Sequence, residues 1–181
     1  MFTHQIDNDC YLKLLQKNDA EDLFSLIDRN REHLRKWLSW VDNVKSVEDT
    51  NNSIEKTLKQ FANNQSFRAG IFYKEELAGV INFHQIDWTN KKTSIGYWLG
   101  NEYQGKGLMT KAARAFINHA FSDLKLHRVE VRCAVGNSKS RAIPEKLGFT
   151  NEGTMREAEY LYGHFVDQTI YGMTRNEWQN K

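Results

Sequence analysis

Between Gly100 and Thr110 the chain reads Gly-Asn-Glu-Tyr-Gln-Gly-Lys-Gly-Leu-Met-Thr, a stretch whose residue types suit the binding of an anion. Gly105 and Gly107 let the backbone turn tightly and bring N–H groups close to a ligand. A helix is expected to follow, because apolar residues fall at 109, 112, 113, 116, 117, 120, 121 and 124, the spacing of one buried face. The N-terminus of such a helix carries unpaired N–H donors and a partial positive charge, so Gln104, Gly105, Lys106, Gly107, Leu108, Met109 and Thr110 form a candidate phosphate or pyrophosphate cradle. Gly100-x-x-x-x-Gly105-Lys106 matches the start of a nucleoside-triphosphate P-loop, but Gly107 stands where that motif needs a hydroxyl to hold magnesium. The missing hydroxyl counts against ATP, and Thr110 comes too late to replace it.

The β-branched and aromatic run Thr93 to Leu99 before the loop is expected to be a strand, with Trp98 and Leu99 at the end nearest the anion site. About thirty residues beyond the loop, Val129, Val131, Cys133 and Val135 alternate with Arg128, Glu130 and Arg132 in a second strand with one buried face. Asn137 then opens a short helix ending at Gly148, where glycine suits a left-handed cap. Pro144 inside this helix predicts a distorted or locally opened turn, since an interior proline costs about 3 kcal/mol.

Gln104-x-x-Gly107-x-Met109 resembles the pyrophosphate loop of the GCN5-related N-acetyltransferases, with Met109 where Gly or Ala is usual. Asn137-x-x-Ser140 followed by Glu145-Lys146-Leu147-Gly148-Phe149 resembles the second cofactor-side segment of the same family. The finer resemblance is to ribosomal-protein N-terminal acetyltransferases of the RimJ/RimL kind. It extends over nearly the whole chain, through 34–40 (LRKWLSW), 95–99 (IGYWL) and 156–163 (REAEYLYG). It implies acetyl-CoA as co-substrate, held by Trp98, Leu99, residues 104–110, Asn137 and Ser140, and an amine acceptor, the α-amino group of a protein or peptide that could be ribosomal.

An attacking amine must be neutral and the CoA sulfur must leave as thiolate or be protonated. An α-amine of pKa near 7.8 is roughly one-seventh neutral at pH 7, whereas a lysine is about 0.04% neutral, a difference of about 4.6 kcal/mol. A protein N-terminus therefore needs only a modest base. Glu159, in the late matching segment, is the candidate base, acting directly or through water, and Ser140 the candidate donor to the leaving sulfur. An ion-pair cluster with Arg156 and Glu157, or simple helix bracing by Ser140, would account for the same residues without catalysis. Trp37 and Trp40, on one face of a helix expected over 32–41, are either core anchors or a wall of the acceptor groove. His84, beside Asn82 on a central strand, reads as a satisfied histidine and a further acceptor-side candidate. Two other readings stay open: acetylation of a polyamine or aminoglycoside, which an acidic pocket would favour, and a non-catalytic acyl-CoA-binding module.

The remaining elements must position these groups. A first strand is expected over 10–16, a helix capped by Asn18 or Asp19 with Leu23, Phe24, Leu26 and Ile27 on one face, and a third helix from the capping box Ser46-x-x-Asp49 through Ile54, Leu58 and Phe61. Residues 67–73 and 77–86 read as a hairpin across Lys74-Glu75-Glu76, and 150–160 and 165–174 as two last strands. The expected fold is an α/β (α+β) domain spanning 1–181, with a mixed, mostly antiparallel, twisted sheet flanked by helices, as the resemblance also implies.

With 27% charged and 40% hydrophobic residues and a net charge of +2, the 181-residue chain asks for no membrane and no direct nucleic-acid partner. It has no signal-peptide-like start, and a cytoplasmic location is expected; a homo-oligomer is compatible. Cys10 and Cys133 read as buried thiols, and the histidine spacing gives no metal motif.

Overall fold

The computed structural model describes residues 3–180. Strands β1 (Thr3–Gln5) and β2 (Cys10–Leu14) are followed by helices α1 (Ala20–Arg29), α2 (Arg31–Arg35) and α3 (Val47–Ala62). Strands β3 (Phe67–Tyr73), β4 (Glu76–Phe83) and β5 (Lys92–Leu99) lead into α4 (Leu108–Asn118), β6 (Arg128–Ala134) and α5 (Ser138–Lys146). The hairpin of β7 (Thr150–Leu161) and β8 (His164–Thr174) precedes the short α6 (Arg175–Gln179). The strands form one eight-stranded sheet in the order β1-β2-β3-β4-β5-β6-β8-β7. Among the described strands only β5 and β6 run parallel, and α4 supplies the crossover that a parallel pair requires.

Local chemistry explains the hairpins and caps. Lys74 and Glu75 both have positive φ, 49° and 68°, giving a two-residue turn whose twist matches the flanking strands. The Ser46 side chain accepts from the Asp49 N–H while the Asp49 carboxylate accepts from the Ser46 N–H, satisfying otherwise orphaned donors at the start of α3. Helices α1 and α3 cover one face of the sheet, burying Leu23, Leu26, Ile27 and Ile54. On the other face α4 buries Leu108, Met109, Ala112, Ala113, Phe116 and Ile117. Its Phe116 ring lies 4.8 Å from that of Phe83 and 5.3 Å from that of Phe67, and each such side chain contributes about 1.5–3 kcal/mol when removed from water.

The structure departs from the sequence pattern at several ends. Residues 32–41 do not form one helix: α2 stops at Arg35, and Val41–Asn43 is a separate 3-10 turn. Arg31 donates to the carbonyls of Val41 and Val44, and Arg35 makes a bidentate pair with Asp42, folding the segment back on α2 instead of extending it. Trp37 and Trp40 consequently do not share a helix face. The first long strand ends at Leu14, because Gln16 opens the 3-10 turn Lys17–Asp19, and β4 ends at Phe83, so His84 lies just past the strand and not on it. The α4 pattern continues past Asn118 as one π-helical turn, His119–Asp123, which keeps Ala120 and Phe121 buried. Strand β1 was not legible in the alternation at all.

Candidate active site

The central feature is a parting of β5 from β6. Their pairing covers only Lys92–Ile95 against Arg128–Val131. Beyond it β5 remains paired to β4 as far as Leu99, and β6 to β8 as far as Ala134. The β6-facing edge of Gly96 to Leu99 is thus left without a strand partner and borders a groove.

Tyr97 spans this groove, its hydroxyl donating to the Ser140 carbonyl on α5 at 2.9 Å. That carbonyl would ordinarily accept from the N–H of residue 144, which is Pro144 and has none. The expected opening of the helix is therefore a single exchanged hydrogen bond; α5 continues to Lys146. Desolvation raises the Tyr97 pKa well above the ordinary phenol value, so the group stays a donor. Ser140 Oγ lies 3.3 Å from Cys133 Sγ, and burial pushes the Cys133 thiol up. Asn137 is the N-cap of α5, its Oδ1 accepting from the Ser140 N–H at 3.2 Å.

At the other end of the groove, Gly105 and Gly107 have φ of +75° and +73°, and a Cβ at either would enter open space. Glycine is required there by backbone conformation, and the open side leaves room for a ligand to approach the main chain. Leu108 and Met109 point into the core, which explains how Met109 fits a position where a smaller residue is usual. The first-turn N–H groups of Leu108, Met109 and Thr110 have no intrahelical acceptor and carry the positive end of the α4 dipole. Gln104 bridges the two sides of the cleft: its Nε2 is 2.8 Å from His33 Nε2 and its Oε1 accepts from Lys139 Nζ at 2.8 Å. Lys106 donates to the Glu102 carbonyl at 2.7 Å. Backbone donors, two glycines in the left-handed conformation and exposed Lys106 and Lys139 fit a pyrophosphate-bearing ligand.

On the α1 and α3 side of β5 a cavity of about 260 Å³ is walled by Leu38, Trp40, His84, Gly96 and Trp98, among others. The Trp40 and Trp98 rings pack at 6.0 Å. The His84 ring sits over Gly96, where a Cβ would lie 2.8 Å from Nε2, and its Nδ1 is 2.9 Å from Ser94 Oγ. Burial, then the charge of Arg132, lowers the His84 pKa, favouring the neutral imidazole. Of the acceptor-side candidates, Trp40 and His84 meet at this cavity together with Trp98. Trp37 lies elsewhere, with its ring edge 3.4 Å from where a Cβ of Gly136 would be. Glu159, on the edge strand β7, accepts from Gln168 Nε2 at 2.9 Å and is not part of the cavity wall. Its hairpin is anchored over the cavity's rim, because Tyr162 donates to the Leu38 carbonyl at 2.7 Å and stacks on the Arg35 guanidinium at 3.8 Å. Sequence reasoning missed Tyr97 and Arg68, which also lines this cavity. Pro144 was the available signal for Tyr97, and an arginine between Phe67 and Ala69 in an otherwise apolar strand was the signal for Arg68.

A sheet whose only parallel pair parts above a glycine-rich helix N-terminus is the architecture of the acyl-CoA N-acyltransferases, and residues 10–150 match the acetyltransferase (GNAT) domain family. The chain belongs to that family and is an N-acetyltransferase of the ribosomal-protein acetyltransferase type. It is 38% identical to YdaF of Bacillus subtilis (strain 168), named provisionally as a ribosomal N-acetyltransferase, over all of both chains. It is 31% identical to the ribosomal-protein-serine acetyltransferase of Escherichia coli (strain K12), covering 93% of this chain and 94% of that one. Among solved structures, RimL, an L7/L12 α-N-protein acetyltransferase in complex with coenzyme A, superposes with a TM-score of 0.94 at 28% identity, covering 97% and 99% of the two chains. The microcin C7 self-immunity acetyltransferase MccE, in complex with acetyl-CoA and AMP, superposes with a TM-score of 0.89 at 35% identity over 93% and 94%. No helix among the described residues is long and apolar enough to cross a membrane.

Proposed function

We propose that the protein acetylates the N-terminal α-amino group of a ribosomal protein in the cytoplasm, with acetyl-CoA as donor and direct transfer in a ternary complex. The observation that carries this reading is that the groove beside the α4 N-terminus and the Trp40–His84 cavity meet at one piece of chain, Gly96 to Trp98 of β5. An acyl donor and an amine held from these two sides can react without a covalent relay. Cys133, the cysteine at the groove, is buried with its thiol pKa raised, which argues against a thiolate nucleophile.

In this scheme Gly105, Gly107 and the first turn of α4 hold the pyrophosphate, with Gln104, Lys106, Thr110 and Asn137 around it. Trp98 and Leu99 flank the pantetheine arm. Bound acetyl-CoA supplies a thioester carbonyl open to attack by an amine. Trp40 and His84 shape the approach of the acceptor chain, a part that Trp37, turned toward Gly136, does not share. Glu159 takes the amine proton, through water from its place on the hairpin, and Ser140 Oγ donates a hydrogen bond or proton to the departing sulfur. Unpaired main-chain N–H groups on the β5 edge are suited to polarise the carbonyl. A polyamine acceptor is disfavoured, since the cavity wall includes Arg68 and no aspartate or glutamate.

Thiol release from acetyl-CoA tests the reading, using peptides with varied N-termini beside spermidine and an aminoglycoside. Turnover on peptides that stops when the α-amine is blocked, with intersecting double-reciprocal plots, is expected. Turnover on small amines alone would replace the peptide reading, and parallel plots would replace direct transfer.

A further inference from the structure

Arg68 is placed where a positive charge is hard to explain by folding alone. It lies on β3 in register with Asn82 on β4, which in turn faces Gly96 on β5. Its Nη1 donates to Ser53 Oγ at 2.9 Å, and its Nε is sealed from solvent with no acceptor. No carboxylate pairs with it among the described residues. Desolvation pushes its pKa down to about 10. Arg68 is shared, with Asn82 and His84, between the 260 Å³ cavity and an adjoining one of about 460 Å³, and neither is lined by any aspartate or glutamate. A guanidinium drawn out of water without a counter-charge is unfavourable unless something else supplies the anion. Its planar fork is suited to bidentate pairing with a carboxylate.

The geometry points to Arg68 as a specificity residue that receives a carboxylate from the acceptor peptide, an aspartate or glutamate side chain at its second or third position. Two strand spacings of about 4.8 Å put the Arg68 backbone roughly 10 Å from Gly96, on the stretch of β5 where the groove and the cavity meet and beside which the α-amine would be acetylated. An extended peptide covers about 3.3 Å per residue, so its second and third side chains are those within reach of the guanidinium. The imidazole of His84, being neutral, does not compete for that carboxylate, and Asn82 can donate to its second oxygen.

This inference rests on the α-amine reading above, and the test separates the two. Initial rates on the full chain would be measured for peptide sets identical except for Asp or Glu against Asn or Gln at position 2 or 3, with wild type, Arg68→Met and Arg68→Lys. Wild type should favour the acidic member about 10- to 100-fold in kcat/KM, the range expected for a charge-assisted hydrogen bond. Arg68→Met should abolish that ratio and Arg68→Lys should keep part of it. Coenzyme A affinity reports that each variant is folded. Equal turnover of acidic and amide peptides by wild type would overturn the assignment of Arg68 while leaving N-terminal acetylation intact. A preference that survives in Arg68→Met would overturn it as well. Absence of turnover on every peptide, with activity on amines carrying a phosphate instead, would overturn both.

Discussion

Replacing Tyr97 with phenylalanine removes one hydroxyl and leaves the carbonyl of Ser140 without its donor. Because Pro144 cannot supply the usual helical N–H, no second donor stands ready on α5, and the loss should cost about 1–3 kcal/mol. For a chain of 181 residues that corresponds to roughly 2–4 °C in Tm for each kcal/mol lost. The specific claim is that the cost depends on the proline. In a Pro144→Ala background an N–H returns at the right place, so Tyr97→Phe should become cheaper by about 1 kcal/mol, whatever Pro144→Ala itself does by opening space in a buried position. The assay is a double-mutant cycle by chemical unfolding, with thermal unfolding alongside. If the two substitutions add within about 0.5 kcal/mol, Tyr97 and Pro144 are not coupled through the Ser140 carbonyl and the account of α5 is wrong.

Gly107→Val should weaken coenzyme A binding by more than tenfold in calorimetric titration, since φ of +73° is costly for a β-branched residue and its side chain would occupy the open face of the loop; unchanged affinity would dissociate the loop from the cofactor. Glu159→Gln should lower kcat about 100-fold with little change in peptide KM, and the loss should shrink at high pH, where more of the amine is already neutral; a pH-independent loss would assign Glu159 a structural part. Burial and Arg132 place the folded pKa of His84 below the unfolded value near 6.5, so the unfolded chain binds the proton first. The stability that neutral His84 contributes is full above about pH 6.5 and falls as pH drops from there toward the folded pKa. His84→Gln should therefore flatten the dependence of Tm on pH between about 7 and 5, with His33, whose pKa burial also lowers, keeping some slope.

What the sequence revealed and what it hid differ by the range of the interactions involved. The glycine loop and helix start at 104–110 were legible because their determinants are local: φ at Gly105 and Gly107, and an apolar stripe that fixes where α4 begins. The hairpins were legible for the same reason. The helix over 32–41 was not, because Arg31 and Arg35 close that segment through hydrogen bonds to residues up to 13 positions away, and these outweigh a periodic pattern of Leu34, Trp37, Leu38 and Val41. The Trp40–His84 cavity belongs wholly to this second kind. Trp40 reaches it through the broken helix, and Trp37 is turned toward Gly136 by the same break. Arg68, Asn82 and Gly96 come from three strands, and only the register between them puts a cation in the wall of the cavity. In the proposed scheme donor binding is therefore carried by a short motif, while acceptor choice depends on how distant strands align. A one-residue slip in β3 would send the Arg68 side chain to the α4 face and remove the charge from the cavity without touching the cradle.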